Sequence, residues 1–111
     1  MQYLVTSEWI DPMGNGAFAP REFADAIDHA VVPSLEALAK LTEQNKILAG
    51  GVLSGQRNTA FIVEASTNDE ATELVQGVPF WALCKWKVIP LESFEHHAVF
   101  AGQVSEGLKA A

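Results

Sequence analysis

The residues best suited to moving a proton in this 111-residue chain are three histidines and a glutamate set late in an apolar run. Histidine titrates near neutral pH and serves as either acid or base. On a helical wheel His29 lies opposite Ile27 and alongside Asp25 and Glu36, on the face given to solvent. His96 lies away from Phe94. His97 flanks the apolar stripe of the last helix, where it can look into a cavity or sit half-buried at an interface. Glu64 follows Phe61, Ile62 and Val63. Facing a cavity, its carboxylate would be desolvated and would serve as a general base; at an exposed strand end it would carry no chemistry. His97 and Glu64 are therefore the candidate catalytic residues, each able to act as a general base or acid.

Binding chemistry has its own candidates. Arg57 sits in a short turn, and its planar fork matches a carboxylate, although solvated turn arginines are common. Tyr3 and Ser7 share one face of the first strand and offer hydroxyl donors. The stretch VPFWALCKWKVIPL (78–91) holds two of the three tryptophans and the only cysteine. Trp81, in a turn, and Trp86, inside a strand, offer flat faces for a cyclic ligand or simply pack the core. Cys84 has no histidine near it in sequence and fits a buried thiol. Adjacent His96 and His97 lack a third ligand at a recognised spacing, so no metal is expected. Gly14-Asn15-Gly16 is too short for a phosphate cradle.

These residues need elements to position them. Residues Gln2–Trp9 form a strand with Tyr3, Val5 and Ser7 on one face and Leu4, Thr6 and Glu8 on the other. The stretch DPMGNGAFAP has the turn chemistry of a loop. From Pro20 to about Gln44, an apolar stripe of Phe23, Ile27, Val31, Leu35, Leu38 and Leu41 has helical spacing. Pro33 cannot donate to the carbonyl of His29, which predicts a kink or break. Strands follow at 46–54 and 58–65, joined by a glycine-containing hairpin. Their poor alternation predicts burial on both faces, and Gly50-Gly51 predicts a bulge or a close backbone approach. A Thr67–Glu70 capping box opens a second helix that ends at Gly77. A turn at 79–83 leads to a strand at 84–89, with Cys84, Trp86 and Val88 on one face and Lys85, Lys87 and Ile89 on the other. Phe94, Ala98, Ala101, Val104 and Leu108 mark a helix in the C-terminal tail, which either lids a cavity or clasps a neighbour.

Strand, helix, strand, strand, helix, strand is the ferredoxin-like order: an α+β fold with a four-stranded antiparallel sheet and helices on one face. One domain accounts for the whole chain, with residues 92–111 as its tail. The other sheet face then needs cover, for which a second copy packed sheet to sheet is the expected solution. Seven Lys and Arg against fourteen Asp and Glu give a net charge of −7, which disfavours nucleic acid. No stretch has the length of a membrane span, and no leader pattern opens the sequence, so a cytoplasmic protein is expected.

The runs NKILAGGVLSG, FIVEASTNDEATELV and VPFWALCKWKVIPLESF, above all Pro79-Phe80-Trp81 followed by Trp86 and Pro90-Leu91, resemble the muconolactone delta-isomerase-like group. The resemblance spans Tyr3 to Phe94 and implies a dimeric α/β barrel. It also implies a small cofactor-free enzyme that binds a small cyclic or acidic organic molecule and shifts a proton. It assigns no catalytic position. A non-catalytic ligand-binding or structural oligomer, and a cofactor-free monooxygenase-like barrel, are the alternatives.

Overall fold

A computed structural model describes residues 1–10, 20–79 and 81–111. The glycine-rich loop after Ile10 and the side chain of Phe80 lie outside the described residues. Four strands, β1 (Gln2–Trp9), β2 (Ile47–Val52), β3 (Asn58–Glu64) and β4 (Cys84–Pro90), form one antiparallel sheet in the order β2-β3-β1-β4. The helices α1 (Pro20–Ala26), α2 (Val32–Glu43) and α3 (Asn68–Gln76) precede α4 (Phe94–Lys109). The ferredoxin-like arrangement expected from the sequence is the one observed.

Strand alternation explains the layering. Tyr3, Val5 and Ser7 of β1 are buried, as are Thr59, Phe61 and Val63 of β3. The register places Tyr3 opposite Val63, Val5 opposite Phe61 and Ser7 opposite Thr59, so these side chains share one face. Ile47, Leu38, Ala71, Val75 and Val78 complete the core from β2, the helices and the turn after α3. Each large apolar side chain fully buried here contributes roughly 1.5–3 kcal/mol. Tyr3 belongs to this core, and so does the Cys84 thiol, whose burial raises its pKa to about 11.

Pro33 has the effect its chemistry demands, in a particular form. Between α1 and α2 the chain runs through one π turn, Ile27–Val31, in which the Val32 N–H donates to the Ile27 carbonyl five residues back. The wider turn absorbs the missing proline N–H without ending the helical path. The Ser34 hydroxyl donates to the Ala30 carbonyl inside this turn.

The strand β2 departs from expectation. It lies at the sheet edge, and Leu48 and Val52 are exposed rather than buried on both faces. A register shift between Ile47 and Ala49 marks a bulge at Leu48. Two residues on, Gly50 adopts φ +132° against the backbone of Phe61. The glycine pair thus marks both a bulge and a close approach.

Helix α3 is capped by Thr67, whose Oγ1 accepts from the Glu70 N–H at 3.1 Å. The return bond of this capping box reaches one residue further back, from the Ser66 N–H to the Glu70 carboxylate at 3.2 Å. Helix α4 is capped by Ser93 and buries none of its residues. It extends the molecule to 65 × 34 × 24 Å, with a radius of gyration of 18.4 Å. A compact domain of this length has about 13 Å.

Candidate functional site

Two successive rungs of the β1–β3 ladder build the polar end of a slot. At the first rung Ser7 faces Thr59, and their hydroxyls bond to each other at 2.5 Å in the buried interior. At the next rung in the same alternation, the Trp9 N–H donates to the Arg57 carbonyl at 3.0 Å, which sets these two residues opposite one another. Residues opposed in this way project to the same face. The side chains of Ser7, Thr59, Trp9 and Arg57 therefore converge on the helix side of the sheet.

The helical segment supplies the apolar walls. Phe23 from α1, Ile27 and Val31 from the π turn and Leu35 from α2 stand over Val52 of the edge strand. They enclose a slot of about 200 Å³. Arg57 is part of its lining, with its guanidinium carbon 5.3 Å from the centre of the Phe23 ring. The pair spans from the β2–β3 hairpin to α1. Such a contact contributes on the order of 0.5–1 kcal/mol at an exposed site.

The indole nitrogen of Trp9 is the unusual atom. It is shut off from solvent and has no hydrogen-bond partner among the described residues. A buried donor left unpaired costs about 1–3 kcal/mol. Its neighbours differ: the Ser7 and Thr59 hydroxyls satisfy each other, and Arg57 rests on Phe23. The described lining contains no aspartate, glutamate, histidine, lysine or cysteine. Its polar side chains carry hydroxyls, amides and the Arg57 guanidinium.

Of the candidates read from the sequence, Ser7 and Arg57 line this slot. Tyr3 lies two alternations away from Ser7 in the core. Glu64 stands at the far end of β3 from Thr59, exposed, where its Oε1 accepts from the Met1 ammonium at 2.7 Å. Trp81 lies in a single 3₁₀ turn, Trp81–Leu83, and its carbonyl accepts the Trp86 indole N–H at 2.9 Å. Trp86 packs edge-on to Phe61, with ring centres 6.4 Å apart. The Trp86 side chain thus ties the 3₁₀ turn to β4 and packs on Phe61, while the Trp81 ring is exposed; neither residue is in the slot lining. His97 is exposed at the start of α4; its Nδ1 is 2.9 Å from the Glu92 carboxylate and its ring rests by Phe100.

Trp9, Phe23 and Thr59 were not singled out from the sequence. Alternation along β1 already puts Trp9 on the face of Ser7, which is the signal that finds it. Its partner Arg57 needs the hairpin register, which composition does not supply. Among the described residues no group of three potential ligands could hold a metal ion, and no helix is long and apolar enough to cross a membrane.

Known proteins share this architecture. The solved structure of muconolactone isomerase superposes with a TM-score of 0.65 at 13% identity, covering 84% of this chain and 90% of its own. The 5-chloro-2-hydroxyhydroquinone dehydrochlorinase TftG from Burkholderia phenoliruptrix AC1100, in complex with 2,5-dihydroxybenzoquinone, superposes with a TM-score of 0.56. That match has 22% identity and covers 86% of this chain and 98% of its own. No family model matches the sequence, and neither does any curated protein. The chain has the muconolactone isomerase-like fold expected from the resemblance.

Proposed function

We propose that the slot binds a small cyclic or acidic organic molecule and that the protein shifts a proton on it without a cofactor. The observation carrying this is the slot itself: an apolar cleft of about 200 Å³ with the polar rungs Ser7–Thr59 and Trp9–Arg57 in its lining and the Arg57 guanidinium beside Phe23. Such a site suits a flat ring with one anionic or strongly polar edge. Two proteins of the same fold are named for an isomerisation and a dehydrochlorination, and the second holds a dihydroxyquinone. Both names fit chemistry on small oxygenated rings.

Under this reading Arg57 holds the acidic group and the Ser7–Thr59 rung sets the depth of the ring. The proton step needs a base. On a ring ketone or lactone that carries a nearby C=C bond, an imidazole removes the proton from the carbon between them; the C–H pair becomes a new C=C bond and the carbonyl π pair moves to oxygen, giving a dienolate. The carbonyl then re-forms as the far carbon of the original C=C takes the proton back from the imidazolium, so the double bond has moved. His97, paired with Glu92, suits this role better than Glu64, which is tied to the chain's amino terminus. Within one chain, however, His97 follows β4 at the Gln2 end of β1, while the slot lies at the Trp9 end, about 20 Å along the strand. The proposal therefore includes a second copy.

Two unpartnered surfaces support self-association. The sheet face away from the helices carries Leu4, Ile62 and Ile89, and α4 presents Phe94, Phe100, Val104 and Leu108 to solvent. In a homodimer or larger assembly these faces gain cover and α4 reaches a neighbour. Trp81 and Trp86 then serve the sheet rather than the ligand.

A second reading is a ligand-binding protein without turnover. It is favoured by one observation, the lack of any carboxylate, imidazole or thiol in the described slot lining. Proton magnetic resonance of a muconolactone-type lactone in deuterium oxide separates the two. Under the first reading, ring protons exchange with wild type and persist with His97→Gln, and the protein sediments as a dimer or larger species. Binding without exchange selects the second reading, and a monomer at micromolar concentration removes His97 from the mechanism.

A further inference from the structure

We propose that the slot is the first of two adjoining chambers, and that its ligand is an elongated two-ring acid. The anionic ring lies beside Arg57, and a second, apolar ring lies between α2 and the edge strand at Gly50. This rests on the slot being a ligand site and deepens that reading by naming the class of ligand.

The second chamber follows from what β2 leaves out. Residues opposed across an antiparallel ladder project to the same face. Ile47 opposes Val63, Gly50 opposes Phe61 and Val52 opposes Thr59, so these three positions of β2 face the helices. At the middle one, φ of +132° and the Phe61 backbone leave no place for a side chain. Gly50 therefore leaves a gap in the helix-facing row between Ile47 and Val52. Leu38, Ala39 and Thr42 of α2 stand over that gap, and the space between is about 170 Å³. An apolar cavity of about 150 Å³ is large enough to hold benzene. The slot, at about 200 Å³, and this chamber each have room for one ring. They share Leu35, Val52 and Thr59 as lining. Leu35 and Val52 are 38% and 55% exposed, so neither is locked in the core as a wall between the chambers.

Their chemistry differs. Arg57 gives the first chamber its cation. The described lining of the second has no charged side chain. Its two hydroxyls are already engaged: Thr42 Oγ1 donates to the Leu38 carbonyl at 3.0 Å, and the Thr59 hydroxyl bonds that of Ser7. A polar substituent placed there would lose water without gaining a partner, so the second ring is a plain hydrocarbon. Arg57, Thr59 and Phe61 alternate along one face of the chain, which sets the Arg57 and Phe61 levels about 14 Å apart. That axis suits two rings joined end to end, with the acid at the Arg57 end.

Calorimetric titration of the full chain with benzoate and with biphenyl-4-carboxylate tests this, in wild type, Ala39→Leu and Thr42→Leu. Ala39 and Thr42 line the second chamber and not the slot, and both are exposed on α2. Wild type is expected to bind the biphenyl acid at least about tenfold more tightly than benzoate. Either leucine fills the second chamber and is expected to cut that preference below about twofold. Benzoate affinity should stay within about twofold, and the unliganded melting temperature within a few degrees. Two variants from successive turns guard against one of them misfolding. Benzoate binding with no gain for the biphenyl acid, which is the result if a segment of a second copy fills the chamber, would overturn the two-ring assignment and leave the slot a ligand site. A biphenyl preference that survives both leucines, or an equal loss of both acids, would overturn it too. Failure of wild type to bind either acid would overturn this inference together with the reading on which it rests.

Discussion

Replacing Gly50 by alanine should disrupt the sheet, while the same change at Gly51 should not. A methyl group on Gly50 would overlap the Ala60 carbonyl oxygen and the Phe61 Cα, and would stand 2.5 Å from the Phe61 Cβ. Those atoms belong to β3, a strand paired on both sides, so they cannot move aside as a flexible side-chain tip would. The backbone at Gly50 also has φ +132°, a conformation that strains residues bearing a Cβ. Backbone strain of this kind costs about 1–3 kcal/mol, and overpacking adds about 1–3 kcal/mol more. A loss of roughly 3–5 kcal/mol is expected, which lowers the melting temperature by more than about 10 °C for a domain of this size. At Gly51 nothing lies within 4 Å of the added methyl. Gly51→Ala should therefore stay within about 0.5 kcal/mol of wild type. Urea titrations followed by circular dichroism measure both. If Gly50→Ala is as stable as wild type, or if both substitutions cost the same, the close approach of β2 to β3 is not as described.

Two further outcomes follow from local chemistry. Burial lifts the Cys84 thiol from its ordinary 9.0 to about 11. The neutral thiol is the form the fold favours, so its contribution is fully present below pH 9 and is lost as pH rises through 11. Wild type should lose more stability than Cys84→Ala between pH 9 and 11, and the native thiol should react with a disulfide reagent at pH 8 far more slowly than the unfolded chain; equal rates would place the thiol at the surface. Thr67→Ala removes the acceptor of the Glu70 N–H at the start of α3 and should cost about 1 kcal/mol in the same urea titration, with Thr67→Ser close to wild type.

Local rules made most of the scaffold legible. Alternation in β1 and β4 assigned the correct faces, because each strand has one side on a core and one side open. Thr67 and Glu70 announced α3, and Pro33 announced a disturbance in the long helical stretch. The form of that disturbance, a π turn over Ile27–Val31 rather than a kink, is not encoded in the local pattern. Apolar content in β2 predicted burial, yet strand order puts β2 at an edge. The slot was legible only in pieces. Ser7 and Arg57 stood out by type, whereas Trp9 joined them through hairpin register. Of the aromatic pair, Trp86 gives its indole N–H to the Trp81 carbonyl and its ring edge to Phe61, a packing role that residue type alone does not distinguish from ligand stacking. The placement of His97 on a projecting α4 is a tertiary fact that its helical stripe could not reveal.

The central claim is that the slot behind Arg57 takes a small oxygenated acid. The most direct measurement is a thermal-shift screen of wild type and Arg57→Gln against muconolactone-type lactones, small aromatic acids and hydroxylated quinones. A ligand at a hundred times its dissociation constant stabilises the native state by about 2.7 kcal/mol, or roughly 10 °C here. A shift of that size with one acidic class, lost in Arg57→Gln while the unliganded melting temperature stays within a few degrees, is the predicted result. No shift across all three classes, or a shift that Arg57→Gln leaves intact, would contradict it.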